Sequence, residues 1–226
     1  MLACAGLASL GSWQLRRAEE KRARHDVYAA RQAASPLAFE RIPAQPSLAD
    51  YGWRRITVRG HFLDLYVVLD NRVQQGRVGY EVLTPFAADS GRTLLVDRGW
   101  TALPDDRSAL PEVLAPADPA TLTGYIGAEP TVGIDLTHGA HDAEIMSPQI
   151  FRVQRVDLPG LAGVLNRELW PGILYLDAGA FGALAVEWPL PGDDSSRHTA
   201  YAVQWFAMSA ALGAIGLWNL YGRQRS

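Results

Sequence analysis

Residues 199–220 make a run of 22 residues without one charged side chain, and no other feature constrains the chain as strongly. Wound as a helix at ~1.5 Å per residue, that run covers the ~30 Å hydrocarbon core of a bilayer. Tyr201 and Trp205 stand toward one end, with Trp218 and Tyr221 at the other. Aromatic belts at two membrane–water interfaces have this arrangement. Asp193 and Asp194 precede the run, and Arg223 and Arg225 follow it. The positive-inside tendency therefore puts the C-terminus in the cytoplasm and the preceding domain outside. The competing reading is a helix buried in a soluble core, for which 22 uncharged residues are too many.

A second apolar segment, MLACAGLASLGSW, opens the chain, but its 13 residues fall short of a full span. It lacks the basic start of a secretory signal, and no apolar stretch precedes Cys4, so neither a cleaved signal nor a lipidated cysteine is expected. The expectation is the outer part of a first membrane helix whose start lies upstream. Arg16, Arg17, Lys21, Arg22 and Arg24 then follow on the side assigned as outside, which runs against the positive-inside count. Both apolar segments are rich in small residues. Ser209 and Gly213, or Ala207 and Ala211, stand four apart, a spacing that lets helix backbones approach closely. The two helices are expected to pack on each other or on helices of a partner.

Between these ends the pattern is that of strands. Residues 16–31 read as a charged helix continuing out of the membrane, and a loop with Pro36, Pro43 and Pro46 follows. In WRRITVRGHF, Ile56, Val58 and Phe62 share one face while Arg55, Thr57, Arg59 and His61 share the other, the period of a half-buried strand. YVVLDNR, YEVLTPF, TLLVDRGW, TLTGYIG, FRVQRVDL and GILYLDA predict further strands, with ADSGR as a hairpin turn. LPGLAGVLNRELWP predicts a short helix ended by Pro171. Many short strands and few helices imply a mainly antiparallel sheet or a partly closed barrel. The predicted fold class is thus a membrane protein with two transmembrane helices flanking a mainly antiparallel β (α+β) extramembrane domain. Its segments are a first membrane helix over 1–15, an outer domain over 16–197, a second membrane helix over 198–221 and a tail over 222–226.

Composition narrows the function classes. The net charge of −3 offers no basic field for nucleic acid. A single cysteine excludes an intramolecular disulfide and a cysteine-based zinc site. No phosphate loop, nucleophile elbow or dinucleotide fingerprint is present. HGAHDAE places His138, His141 and Glu144 at three-residue steps, which on a helix can line up as metal ligands. Gly139 and the surrounding residues read instead as a solvated loop. Asp105 and Asp106 are adjacent and do not face one site, while His25 sits on the charged helix and His61 on a polar strand face.

Two motifs and one histidine carry more. LDNR and VDRGW each end a strand with an acid and an arginine close together. Arg72 and Arg98 can pair with Asp70 and Asp97 and so pin a hairpin, or present guanidinium groups to carboxylates of a partner or ligand. Trp100 is expected at the sheet edge. His198 directly precedes the uncharged run, with Tyr201, Ala202 and Trp205 three, four and seven residues on, along one helix face. Two readings stay open: a boundary histidine that hydrogen-bonds among headgroups, or a neutral imidazole that ligates haem iron. Gln204, within the hydrocarbon, needs a polar partner.

LGSWQLRRAEEK, LDNRVQQGRVGYEVLTPF, LLVDRGW and YAVQWFAMSAALGAIGLW, in that order and over nearly the whole chain, resemble the signature blocks of the Surfeit locus protein 1 family. The short first helix departs from the family pattern. The resemblance implies a non-enzymatic assembly factor for haem-copper cytochrome c oxidase in the bacterial inner membrane. It implies two membrane helices with both termini inside and the main domain in the periplasm. It further implies haem a as transient cargo, oxidase subunit I as partner and haem a synthase as a second partner. The family's haem-linked histidine matches His198, which makes Tyr201 and Trp205 the residues packed on the macrocycle. Two alternatives stand beside this: a scaffold for subunit I that never binds haem, and a membrane-anchored hydrolase using the HGAHDAE loop.

Overall fold

The structure, a computed structural model, describes residues 2–104, 109, 111, 113–130, 143–188 and 195–223, with side chains through 218. The chain opens with the 32-residue helix α1 (Leu2–Ala33). It divides into a helical unit, Met1–Ala30 with Pro189–Ser226, and a β unit, Arg31–Trp188.

The β unit contains, in chain order, β1 (Leu37–Ala38), a 3₁₀ turn (Phe39–Arg41), α2 (Leu48–Tyr51), β2 (Arg55–Phe62), β3 (Tyr66–Gln74), β4 (Arg77–Ala88), β5 (Thr93–Ala102), β6 (Ala120–Gly127), β7 (Glu144–Ile145), β8 (Ile150–Val153), α3 (Leu158–Val164) and β9 (Ile173–Leu176). Among the described residues these strands form one sheet in the order β1-β2-β6-β9-β5-β4-β3-β8-β7, with an added pairing of β2 to β4. That pairing closes β2-β6-β9-β5-β4 into a five-stranded barrel, with β3, β8 and β7 as its extension. The 12-residue β4 makes both possible. Its first half pairs with β3, as at Val67↔Leu83, and its end pairs with β2, as at Phe62↔Phe86.

Alternation decides what fills the barrel. Ile56 and Val58 of β2, Phe86 of β4, Leu94 and Val96 of β5, Leu122 of β6 and Leu174 of β9 are buried in one cluster drawn from all five barrel strands. The intervening residues Leu95 and Ile173 face outward and meet Leu161 and Leu165, where α3 covers the sheet. Burying side chains of this size stabilises by roughly 1.5–3 kcal/mol each.

Antiparallel pairings predominate, as expected, but β1–β2, β3–β8 and β5–β9 are parallel, so the sheet is mixed. Parallel partners need long crossover connections, and β8 and β9 return to the sheet from far along the chain. The ADSGR hairpin forms as expected, with Ala88 N–H donating to Arg92 O at 2.9 Å. Helix α3 ends at Val164 rather than at Pro171. Asn166 there adopts φ 49°, and Arg167 N–H closes on the Ala162 carbonyl at 2.9 Å, as a left-handed helix terminus does.

The last element is α4 (Ser195–Arg223). Among the described residues its Ser195–Trp218 part alone is long and apolar enough to cross a membrane. Only 6 % of its most apolar stretch is buried, and Val203, Met208, Leu212, Ile215, Leu217 and Trp218 are exposed. A soluble core helix would bury these side chains. Of the two spanning helices expected, α4 meets this criterion among the described residues, while α1 turns charged after its first apolar residues. Within the helical unit α1 and α4 pack antiparallel. Ser209 Oγ donates to the Cys4 carbonyl at 2.9 Å, and Gly11 lies against the Phe206 ring, which a Cβ there would meet at 2.8 Å.

Candidate functional site

In the β unit the two acid–arginine motifs turn out to be two β-bulges facing each other across β4. In β3 the register slips between Leu69 and Arg72, where Asn71 adopts φ 58°. Asp70 is buried and its Oδ1 accepts the Asn71 backbone N–H at 2.7 Å. In β5 the slip leaves Arg98 opposite no residue: Val82 pairs with Gly99 and Leu83 with Asp97. Gly99 adopts φ 111° there, and a Cβ would stand 2.6 Å from the Ala185 carbonyl oxygen. Bulges re-aim the side chains that follow them, and the partners here differ from the expected in-strand pairs. Arg72 pairs with buried Glu81 of β4, Nε to Oε2 at 2.5 Å. Asp97 is fully buried, faces Glu81 and accepts the Gly99 N–H at 3.0 Å. Burial first, and Glu81 second, hold its carboxyl well above the usual range.

Arg98 is buried and donates to the carbonyls of Gly182 (2.7 Å), Val113 (2.5 Å) and Leu114 (3.2 Å). Burial lowers its pKa to about 10. Its guanidinium ties loops to the barrel and is not presented to a partner's carboxylate. Trp100 Nε1–H donates to the Arg72 carbonyl at 3.1 Å, linking the two motifs. The backbone of Trp100 bridges to Ala185, so it joins a loop to β5, which lies inside the sheet rather than at its edge. Glu81, which joins the motifs, lies in an apolar strand sequence, and its position in YEVLTPF is the one available signal.

In the helical unit His198 is half-buried in the first turn of α4, and its Nδ1 lies 2.7 Å from Oε1 of Gln14 on α1. With a neutral ring whose hydrogen is on Nδ1, this contact is an N–H donated to the amide oxygen, which only accepts. That tautomer presents its lone pair at Nε2, for which no hydrogen-bond partner is present among the described residues. Such an imidazole is a competent metal ligand. Tyr201, one turn on, is exposed, and Trp205, two turns on, is half-buried. Gln204 is exposed on α4, so α1 does not supply the polar partner expected for it. Sequence reading missed Gln14, an uncharged amide between an apolar run and an arginine pair.

The remaining candidates do not assemble. His138 and His141 lie outside the described residues, as do Asp105 and Asp106. Glu144 is exposed, pairs with β8 at Arg152 and forms an ion pair with it. Among the described residues no group of three or more metal-ligating side chains is present.

The SURF1 family model matches residues 1–210. The chain belongs to the SURF1 family. This is the Surfeit locus protein 1 family that the sequence blocks resemble, and the matched span takes in Gln14, both bulges and His198. An uncharacterized SURF1-like protein of Mycobacterium bovis is 31% identical over 182 residues, 78% of this chain and 63% of that protein. The chain thus spans less than two thirds of the length of this mycobacterial relative. A SURF1-like protein of Monosiga brevicollis is 26% identical over 234 residues, covering 95% of this chain and 83% of its own. One of Rickettsia bellii is 25% identical over 228 residues, covering 97% and 88%.

Proposed function

We propose that this protein is a membrane-anchored assembly factor for haem-copper cytochrome c oxidase, and that His198 holds haem a for delivery to subunit I. Membership of the SURF1 family, generally known for oxidase assembly, supports the process. One observation carries the haem reading: the Nδ1–H of His198 is committed to Gln14 Oε1 at 2.7 Å, which leaves Nε2 as a lone-pair donor at the start of the membrane-length helix. A single imidazole, with Tyr201 and Trp205 against the macrocycle, would hold the haem by one coordinate bond, which suits a donor that must release its cargo. The β unit stands in the periplasm of a bacterial inner membrane and docks subunit I or the haem a synthase. The buried bulge cluster serves that docking by fixing the loops around the barrel and does no chemistry itself.

A strain lacking its own family member tests this through the haem a content of purified subunit I. Wild-type protein should restore it, and His198→Ala should lose at least tenfold while reaching the membrane in normal amount. Full restoration by His198→Ala would favour a scaffold that stabilises subunit I without touching haem.

A further inference from the structure

We propose that Gln14 is the positioning residue of the His198 site, an amide that fixes the imidazole tautomer from a second helix. The inference rests on the haem reading above only for its consequence, not for the tautomer itself. A neutral imidazole has one N–H and one lone pair, and it exchanges them between Nδ1 and Nε2 unless a neighbour decides. Gln14 Oε1 stands 2.7 Å from Nδ1 and accepts a hydrogen bond from an N–H there. Nε2 is left with the lone pair, and among the described residues it has no hydrogen bond to break before it binds a metal.

The register of the helix pair brings this amide to the histidine. The Cys4–Ser209 hydrogen bond and the Gly11–Phe206 contact set α1 antiparallel to α4, and farther along the same pair Gln14 meets His198. Gln14 is half-buried, which strengthens a hydrogen bond relative to one in water. The choice of acceptor matters for the chemistry. A carboxylate at Nδ1 would push charge onto the ring and tighten an iron bond, whereas a neutral amide orients the ring with less of that effect. A protein that must surrender its haem is served by orientation without tight binding.

The test uses the full chain in nanodiscs with ¹⁵N-labelled histidine. In the haem-free protein His198 should show the Nδ1–H tautomer alone. Gln14→Leu should give a mixture containing the Nε2–H form, and Gln14→Glu, which keeps an acceptor of the same length, should restore Nδ1–H. With haem a produced in the host, Gln14→Leu should lower occupancy about 10- to 100-fold, the range found for outer-sphere partners of metal ligands. Gln14→Glu should retain haem and shift its reduction potential to more negative values. A wild-type His198 in the Nε2–H form, or a Gln14→Leu protein with unchanged tautomer, overturns the inference whatever the haem result. Absence of haem from the wild type, together with the expected tautomer changes, overturns the haem reading alone and leaves the tautomer assignment standing.

Discussion

Asp97 has no solvent-exposed surface, and its carboxyl faces Glu81, which pairs with Arg72. Burial and that neighbour raise its pKa well above 3.8. In the unfolded chain the same group ionises near its ordinary value, so between that value and the raised one the folded state binds the extra proton. Stability therefore falls as pH rises from about 4 through the raised value, because the slope has the sign of protons bound unfolded minus folded. Asp97→Asn keeps an oxygen for the Gly99 N–H and removes that dependence. It should raise stability by about 1–3 kcal/mol at pH 8 and leave it nearly unchanged at pH 4, as read by thermal unfolding. The acid–arginine motifs were legible in the sequence as a pair of features, but their partners were not. Glu81 hides in an apolar strand, and Gln14 has no charge or spacing that sets it apart. Contacts across helices or strands leave no local periodicity to read.

At the scale of elements, the bulge in β5 depends on Gly99. Its φ of 111° strains any L side chain, and a Cβ would stand 2.6 Å from a backbone oxygen. Gly99→Ala should cost about 2–3 kcal/mol, loosen the loop around Ala185 and raise amide exchange there before it does so in β6. Strands were read correctly where alternation was clear, as in β2, whose apolar face fills the barrel. The two-residue strands β1 and β7 were missed, since so short a piece has no period. The three parallel pairings were missed because the sequence of a strand does not name a partner brought by a distant crossover. The helix pair was legible in its small residues only in part: Gly11 packs against Phe206, whereas a Cβ at Gly213 would meet nothing within 4 Å.

For the whole molecule, a mixed-sheet β unit and a helical unit with one membrane-length helix fit a SURF1 family protein anchored in a bilayer. The central claim is that the first turn of α4 carries a ligand for haem a. Purification from a host that makes haem a tests it most directly, with the absorption spectrum read on wild type and His198→Ala side by side. Wild-type protein should show a haem a spectrum, and His198→Ala should lose it at equal yield. A spectrum of equal intensity in His198→Ala would contradict it.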